Sequence, residues 1–368
     1  MIRLEVNGQP FDNWISISFS RSMEQLSGSF SFVASKADQT AFPIKRRSSV
    51  RVVVNDTPLI TGFMDALTPF ISSSENRVNI QGRDKTQDLI DSTLNASTIE
   101  LNAPISLSRV IETVISRLGL DINVINNVSD LEDFTQEDII SAESGQGAFD
   151  FIEKFARKRQ VLLTSDGDGN VVITRSSNEL INYQIINRKD GQGNNVKSAT
   201  IAYDDSKRFN QYIVVSQENL VTSNNFGQPD LEQVVDVENS PVIDPEIRPG
   251  RILHIVAEKS SSPDEALKRA QWEANFRKSQ SLKYNSTTDD FLIPDTEQPF
   301  PINRLVTVND EDNDIQSIML IEAISLNLDV GGGSRTSFSL VPRNAYTLQL
   351  EEPQTEESTN TIGIEEFL

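Results

Sequence analysis

Cysteine is absent from this chain of 368 residues, and histidine occurs once, at His254. The first absence excludes disulfide staples, thiolate metal centres and a cysteine nucleophile. The second leaves no HExxH or multi-histidine metal site, and any Ser-His-Asp triad would have to use His254. No apolar run reaches the ~18–20 residues that cross a bilayer. The opening Met1-Ile2-Arg3-Leu4-Glu5-Val6 also lacks the charged-then-apolar build of a secretory signal. The expectation is a soluble, unexported chain with no stable membrane insertion. Positive charge is scarce: 33 Lys and Arg stand against 54 Asp and Glu, a formal net charge of −21. A surface of that sign is not built to neutralise phosphates, so nucleic acid is not expected as a tightly held ligand. Hydrophobic residues make up 37% of the chain, enough to bury a core, and at ~150 residues per domain the length suggests two or three domains.

What the chain has is alternation. Ile2, Leu4 and Val6 alternate with polar residues up to an Asn7-Gly8 turn, and Ile15, Ile17 and Phe19 interleave with Ser16, Ser18 and Ser20. Phe30, Phe32 and Ala34, then Val50, Val52 and Val54, repeat the two-residue period that sends successive side chains to opposite faces of a strand. Short strands divided by turn signals predict an antiparallel barrel or sandwich over the first ninety residues. Near residue 100 the period becomes 3.6. Leu107, Val110, Ile111, Val114, Ile115 and Leu118 share a stripe, with Gly119 placed to end the helix. A second helix is predicted over 147–159, where Ala148, Phe151, Ile152, Phe155 and Ala156 share a face. Its Lys154, Arg157, Lys158 and Arg159 suit the negative end of the helix dipole. Val161–Thr164 and Val171–Thr174 around Asp166-Gly167-Asp168-Gly169-Asn170 read as a hairpin, so 95–175 forms a small α+β insert.

Strands return from about 195, and 218–249 reads as a long polar loop. Ser262-Pro263-Asp264-Glu265 has the serine, proline and glutamate of a helix start, and the helix runs to about 278. Further strands within 305–341 make a second β region. Residues 347–368 contain six glutamates and no lysine or arginine, which reads as a flexible acidic tail. Its last residues are more apolar than solubility requires, marking Phe367 and Leu368 as a partner-docking element.

The chemical motifs fail one by one. Asp166, Asp168 and Asn170 open like a calcium loop, but Val171 and Ser177 stand where the glycine and the bidentate glutamate belong. Asp310, Asp312 and Asp314 fail the same test and read as a solvated turn. Lys85-Thr86 ends like a phosphate loop, yet Asn79 and Asp84 occupy its glycine positions, and Gly191-Gln192-Gly193 lacks the third glycine of a dinucleotide loop. His254 lies mid-strand, opposite the face of Leu253 and Ile255, as a sheet-surface residue. Gly331-Gly332-Gly333-Ser334 reads as a β connection that permits positive φ. No catalytic, cofactor or metal residue is identified, and the chain is not read as an enzyme.

The order of features is more specific than any motif. Thr61-Gly62-Phe63-Met64-Asp65 is followed by Gln81-Gly82-Arg83-Asp84-Lys85-Thr86 with Asp88-Leu89-Ile90-Asp91-Ser92, then by the helix Phe151–Arg159 leading into Asp166–Asn170. Arg269-Ala270-Gln271-Trp272-Glu273, Asn303-Arg304-Leu305-Val306, Leu320-Ile321 and Gly331–Thr336 with Phe338–Pro342 continue the series. Over roughly 1–346 this pattern resembles the baseplate hub family of contractile-tailed phages, the Mu-type tail protein P family. Phe300, where that pattern has a tryptophan, and Ser286-Thr287-Thr288, in place of a glycine-containing turn, are departures that bear on local turn geometry.

The resemblance implies a mainly β, multidomain chain. It places a first tube-like β-barrel at 1–92, an α+β insert at 93–194, a second tube-like β-barrel at 195–346 with the helix at about 263–278, and the tail at 347–368. It implies a homotrimer of six barrels that joins a hexameric tail tube, or a tube initiator, to a trimeric central spike. Other baseplate proteins would lie around it, and DNA would meet it only in transit through the lumen. The location implied is the virion's tail baseplate, after assembly in the host cytoplasm. A lumen lined partly by carboxylates would repel DNA, while the plainer use of the acid is solubility. The same fold would serve a tailocin or other phage-derived injection machine. Readings from other classes are a cell-wall-degrading baseplate enzyme and a monomeric carbohydrate-binding β module.

Overall fold

Alternating serine and large apolar residues give each early strand one polar and one apolar side, and the apolar sides face a common core. A computed structural model of the chain describes residues 2–35, 44–73, 76–95, 100–136, 140–221, 232–238, 241–256 and 263–346. The first unit contains β1 (Ile2–Val6), β2 (Gln9–Pro10), β3 (Trp14–Ser22), β4 (Ser29–Ser35), β5 (Ser49–Val54), β6 (Thr57–Ile71) and β7 (Asn76–Asp84). They lie side by side, each antiparallel to its neighbour, in the order β3-β4-β7-β6-β5-β1-β2. Asn7 and Gly8 both take positive φ in the β1–β2 turn, the backbone that two-residue hairpins require.

The insert follows, with α1 (Gln87–Asp91), β8 (Glu100–Leu101), α2 (Leu107–Leu118), β9 (Val124–Asn126), β10 (Ile140–Ser141), α3 (Ala148–Lys158), β11 (Leu162–Ser165) and β12 (Val171–Thr174). Ser106 caps α2 by accepting from the Arg109 amide at 3.2 Å, and Gly119 closes it in the left-handed region at φ 68°. The stripes of α2 and α3 meet over β11 and β12 in a separate core that includes Val110, Ile111, Phe151, Ile152, Phe155 and Phe134. The β11–β12 turn packs on the first unit. A Cβ at Gly167 would stand 1.8 Å from the Pro58 carbonyl oxygen, so only glycine allows that approach.

The rest of the chain comprises β13 (Leu180–Asn187), β14 (Val196–Tyr203), β15 (Gln211–Val221), β16 (Glu232–Glu238), β17 (Val242–Ile243), β18 (Ile252–Val256), α4 (Pro263–Gln280), β19 (Leu282–Thr288), β20 (Leu292–Ile293), β21 (Gln298–Pro299), β22 (Leu305–Asp310), β23 (Ile315–Asp329) and β24 (Gly333–Pro342). Three sequence expectations need correction. The stretch expected to be a polar loop is crossed by β15 and β16, which pair antiparallel from Val215–Glu238 to Val221–Glu232. Ser286, Thr287 and Thr288 form no turn; they lie in β19, paired with Phe338, Ser337 and Thr336. β13 precedes residue 195 yet runs parallel to β22, so it belongs to the sheet of the second β region. The cap of α4 at Ser262 and the tail residues Phe367 and Leu368 lie outside the described residues.

The two β regions share one thirteen-stranded sheet and one hydrophobic core. Their joint is β23 against β3, antiparallel from Ala323–Ser22 to Asp329–Ser16. The second region repeats the first strand for strand: β14-β19-β24-β23 with β22 alongside answers β3-β4-β7-β6 with β5 alongside. β6 and β23 are each 15 residues long. Each carries a register shift at an acidic residue, Asp65 between Met64 and Ala66, and Glu322 between Ile321 and Ala323. Such bulges bend a strand, so one strand can leave one neighbour and meet another.

Candidate functional site

Eight strands in the order β14-β19-β24-β23-β3-β4-β7-β6 expose a continuous polar face. The alternation that buries Phe19, Phe30, Phe32, Ile80, Leu326, Phe338, Leu340 and Tyr284 turns their neighbours to the opposite side. One row crosses six of these strands by direct pairing: Ala66, Gln81, Ser31, Ser18, Asn327 and Arg335 from β6 to β24, and the next row, Ser20, Ser325, Ser337 and Thr287, extends to β19. Three hollows of about 510, 380 and 290 Å³ lie along this face, and serine is the commonest residue in their lining. Short hydroxyl side chains leave a low, water-covered surface.

The charges on this face are mixed in sign. Arg77, Arg83, Lys283 and Arg335 alternate in phase with the serines, and the acids Glu24, Asp65, Glu322 and Asp329 line the hollows among them. The excess acid of the chain is therefore not concentrated here. Most of the cations are already engaged. Arg83 pairs with Asp65 at 3.0 Å and with Asp91 at 2.7 Å, and Arg77 lies over the Phe70 ring at 4.9 Å. Asp329 accepts from the Gly331 and Gly332 amides at 2.9 and 2.7 Å, which ties the glycine turn into shape, and Gly333 takes φ 82°.

Two buried carboxylates brace the ends of the face. Glu322 receives Lys283 Nζ at 2.9 Å, Gln280 Nε2 at 2.9 Å and the Tyr346 hydroxyl at 2.5 Å. Burial, and then the neighbouring Glu322 charge, push the Glu24 carboxyl above its ordinary value. At the junction with the insert, Asp84 accepts from Ser27 Oγ (3.0 Å), the Gly28 amide (2.7 Å), the Thr86 amide (2.9 Å), Thr86 Oγ1 (2.5 Å) and Ser165 Oγ (2.5 Å). In the sequence this segment reads as a failed phosphate loop and as part of the family pattern, and neither reading assigns Asp84 this role.

The other motifs resolve as local structure. Asp166 accepts from the Asp168 and Asn170 amides at 3.0 and 2.8 Å, forming the β11–β12 turn. Asp310 accepts from the Tyr284 hydroxyl at 2.7 Å, Asn187 Nδ2 at 2.9 Å and Asn313 Nδ2 at 2.8 Å. Burial pushes its carboxyl up, but the hydrogen bonds from Asn313, Tyr284 and Asn187 outweigh it and hold the group below the ordinary range. His254 is exposed on β18, between Ile252 and Val256 and away from Leu253 and Ile255. Phe300 is a core residue packed edge-on against Tyr183 and Phe338, with centroids 4.7 and 4.9 Å away.

Residues 1–84 match the family model of the Mu phage baseplate assembly protein GpP-like N-terminal domain, and residues 86–175 match that of the baseplate hub protein gp44-like second domain. The chain is 22% identical over 355 residues to the baseplate hub protein gp44 of Escherichia phage Mu, covering 95% of this chain and 90% of that one. Among solved structures, the 43 kDa tail protein of prophage MuSo2 from Shewanella oneidensis aligns with a TM-score of 0.76 at 29% identity, over 93% of this chain and 98% of the other. The tail protein from Neisseria meningitidis MC58 shares the fold, with a TM-score of 0.77 at 15% identity over 94% and 98% of the two chains. Sequence order, domain matches and mainly β architecture agree: residues 1–84 and 86–175 carry the first two domains of a Mu-type baseplate hub, and the place of such a chain is the tail baseplate of a phage virion.

Proposed function

We propose that three copies of this hub close into a pseudo-sixfold ring, which joins the hexameric tail tube to the trimeric central spike and passes DNA through its centre. The observation that carries this reading is the pair of open edges at the ends of the polar face. β14 pairs with β19 alone, and β6 beyond Phe63 pairs with β7 alone among the described residues. Seven successive antiparallel pairings separate these edges, so β14 and β6 run in opposite directions. A rotation about the ring axis then brings β6 of one copy antiparallel to β14 of the next, and three copies of eight strands close without a leftover edge. Closure removes the exposed edges that otherwise invite aggregation. Head-to-tail contact that closes is the usual route to a cyclic oligomer.

In this ring the serine-rich face lines the channel. Its hydroxyls are neutral and its cations are largely spoken for, so DNA meets few free positive charges that would hold it. The hub acts as a scaffold rather than as an enzyme, with two β units per copy setting six positions toward the tube and three copies setting threefold symmetry toward the spike. Domain borders follow the pairing, with β13 assigned to the second unit. Native mass measurement of the hub co-expressed with its spike should give three hub copies, and a different copy number would remove the ring. Lysine at both Ser18 and Ser31 should slow DNA release from assembled particles; unchanged release would take the channel role away from this face.

A further inference from the structure

We propose that the joint between neighbouring copies repeats the joint inside each copy, residue for residue, with Phe70 opposite Thr200 of the next copy. The inference rests on the ring reading above and adds a register to it. The two units align through rows of paired residues. Ala66, Gln81, Ser31 and Ser18 form one row across β6, β7, β4 and β3. Ala323, Ser339, Asn285 and Thr200 form the matching row across β23, β24, β19 and β14. Ala66 thus answers to Ala323, and Ser18 to Thr200. An independent feature agrees: the β3–β4 ladder shifts register between Trp14 and Ser16, and the β14–β19 ladder shifts between Val196 and Ser198, the same distance along each strand.

Within one copy, β23 meets β3 as Ala323–Ser22, Ile324–Arg21, Ser325–Ser20, Leu326–Phe19, Asn327–Ser18 and Leu328–Ile17. Carried over to the open edges, this places Ala66 opposite Asp204, Leu67 opposite Tyr203, Thr68 opposite Ala202, Pro69 opposite Ile201, Phe70 opposite Thr200 and Ile71 opposite Ala199. The side chains fit that register. On the core side, Leu67, Pro69 and Ile71 meet Tyr203, Ile201 and Ala199, apolar against apolar, as Leu326 and Leu328 meet Phe19 and Ile17 inside the copy. Ile71 and Tyr203 are 72% and 73% exposed in the single chain, and this contact covers both. A slip of one residue turns the apolar set to the wrong side of the sheet. A slip of two places Lys197 opposite Ile71 or Asp205 opposite Leu67.

The absence of cysteine makes the register directly readable. A chain carrying Thr68→Cys and Ala202→Cys, co-expressed with the spike and oxidised, should give a covalent trimer as its main non-reducing band. Directly opposed strand residues lie within the ~4.4–6.8 Å Cα separation that a disulfide spans. The slipped pair Thr68→Cys with Thr200→Cys sits at a diagonal of ~7–8 Å and should give at least about tenfold less. Ala66→Cys with Asp204→Cys reads the same register if the first variant fails to fold, and each single variant should elute as the unmodified hub. Three copies by mass with no cross-link from either opposed pair, or a cross-link favouring the slipped pair, would overturn the register and leave the ring standing. A single hub copy in the spike complex would overturn both.

Discussion

The two β units share a strand plan and differ in where they are interrupted. The first continues without a break from β1 to β7, and its large insert follows at the end of β7, carrying a core of its own. The second is interrupted between β14 and β19 by a small sheet and α4, which bury Tyr212, Val214 and Val242 against Ala266, Ala270 and Ala274. The strands that form the joint and the polar face are kept in both. Elaboration is confined to connections after β7 and between β14 and β19, so the repeated framework carries different additions while β6 and β23 share their length and bulge.

Disrupting the joint inside the copy should have the largest effect. Phe19→Ala removes a fully buried ring opposite Leu326 and should cost about 3–5 kcal/mol in denaturant unfolding. Asp84→Ala strands five donors between the first unit and the insert, and should cost about 3 kcal/mol. Gly167→Ala should cost about 1–3 kcal/mol, because its new methyl meets the Pro58 carbonyl, and limited proteolysis should then release the insert first. By contrast, Tyr203→Ala at the outer edge should change the stability of the single chain by less than about 0.5 kcal/mol while weakening trimer formation with the spike. Equal losses at Phe19 and Tyr203 in the isolated chain would erase the distinction between inner and outer joint.

Acid and base sharpen the comparison further. Asp310 is held below its ordinary value, so its contribution is present at neutral pH and is lost as pH falls through the folded value. The stability gap between Asp310→Asn and the parent chain should shrink below about pH 4. Glu24 has the opposite sign. Its folded value is raised, so the folded chain favours the proton, and stability is lost as pH rises from the unfolded value through the folded one. Glu24→Gln should give a small gain at pH 7 that vanishes near pH 4, read as the melting temperature at the two values.

Much of this architecture was legible in the chain. The interleaving of Ser16, Ser18 and Ser20 with Ile17 and Phe19 gave both faces of β3, and the stripes of α2 and α3, with Gly119, gave the insert's helices. Pairing was less visible. The second half of β15 and β16 mix polar with apolar residues, and their ladder joins segments that carry no strong apolar period. β13 was misplaced because its partner, β22, lies more than a hundred residues away. The net charge of −21 said nothing about the sign of any one face, and the polar face mixes base with acid. Asp84 needed the fold, since its donors come from residues 27, 28, 86 and 165.

In the proposed ring, the hairpin tips of the two long strands would act as a vernier. Phe70, with Arg77 over its ring, stands near one tip and Val330 at the other, both exposed in the single chain. In the ring proposed above these teeth alternate, three of each kind. A sixfold neighbour can engage the shared backbone outline of every tooth, while a threefold neighbour can grip only the aromatic ones and so register its own rotation against the collar.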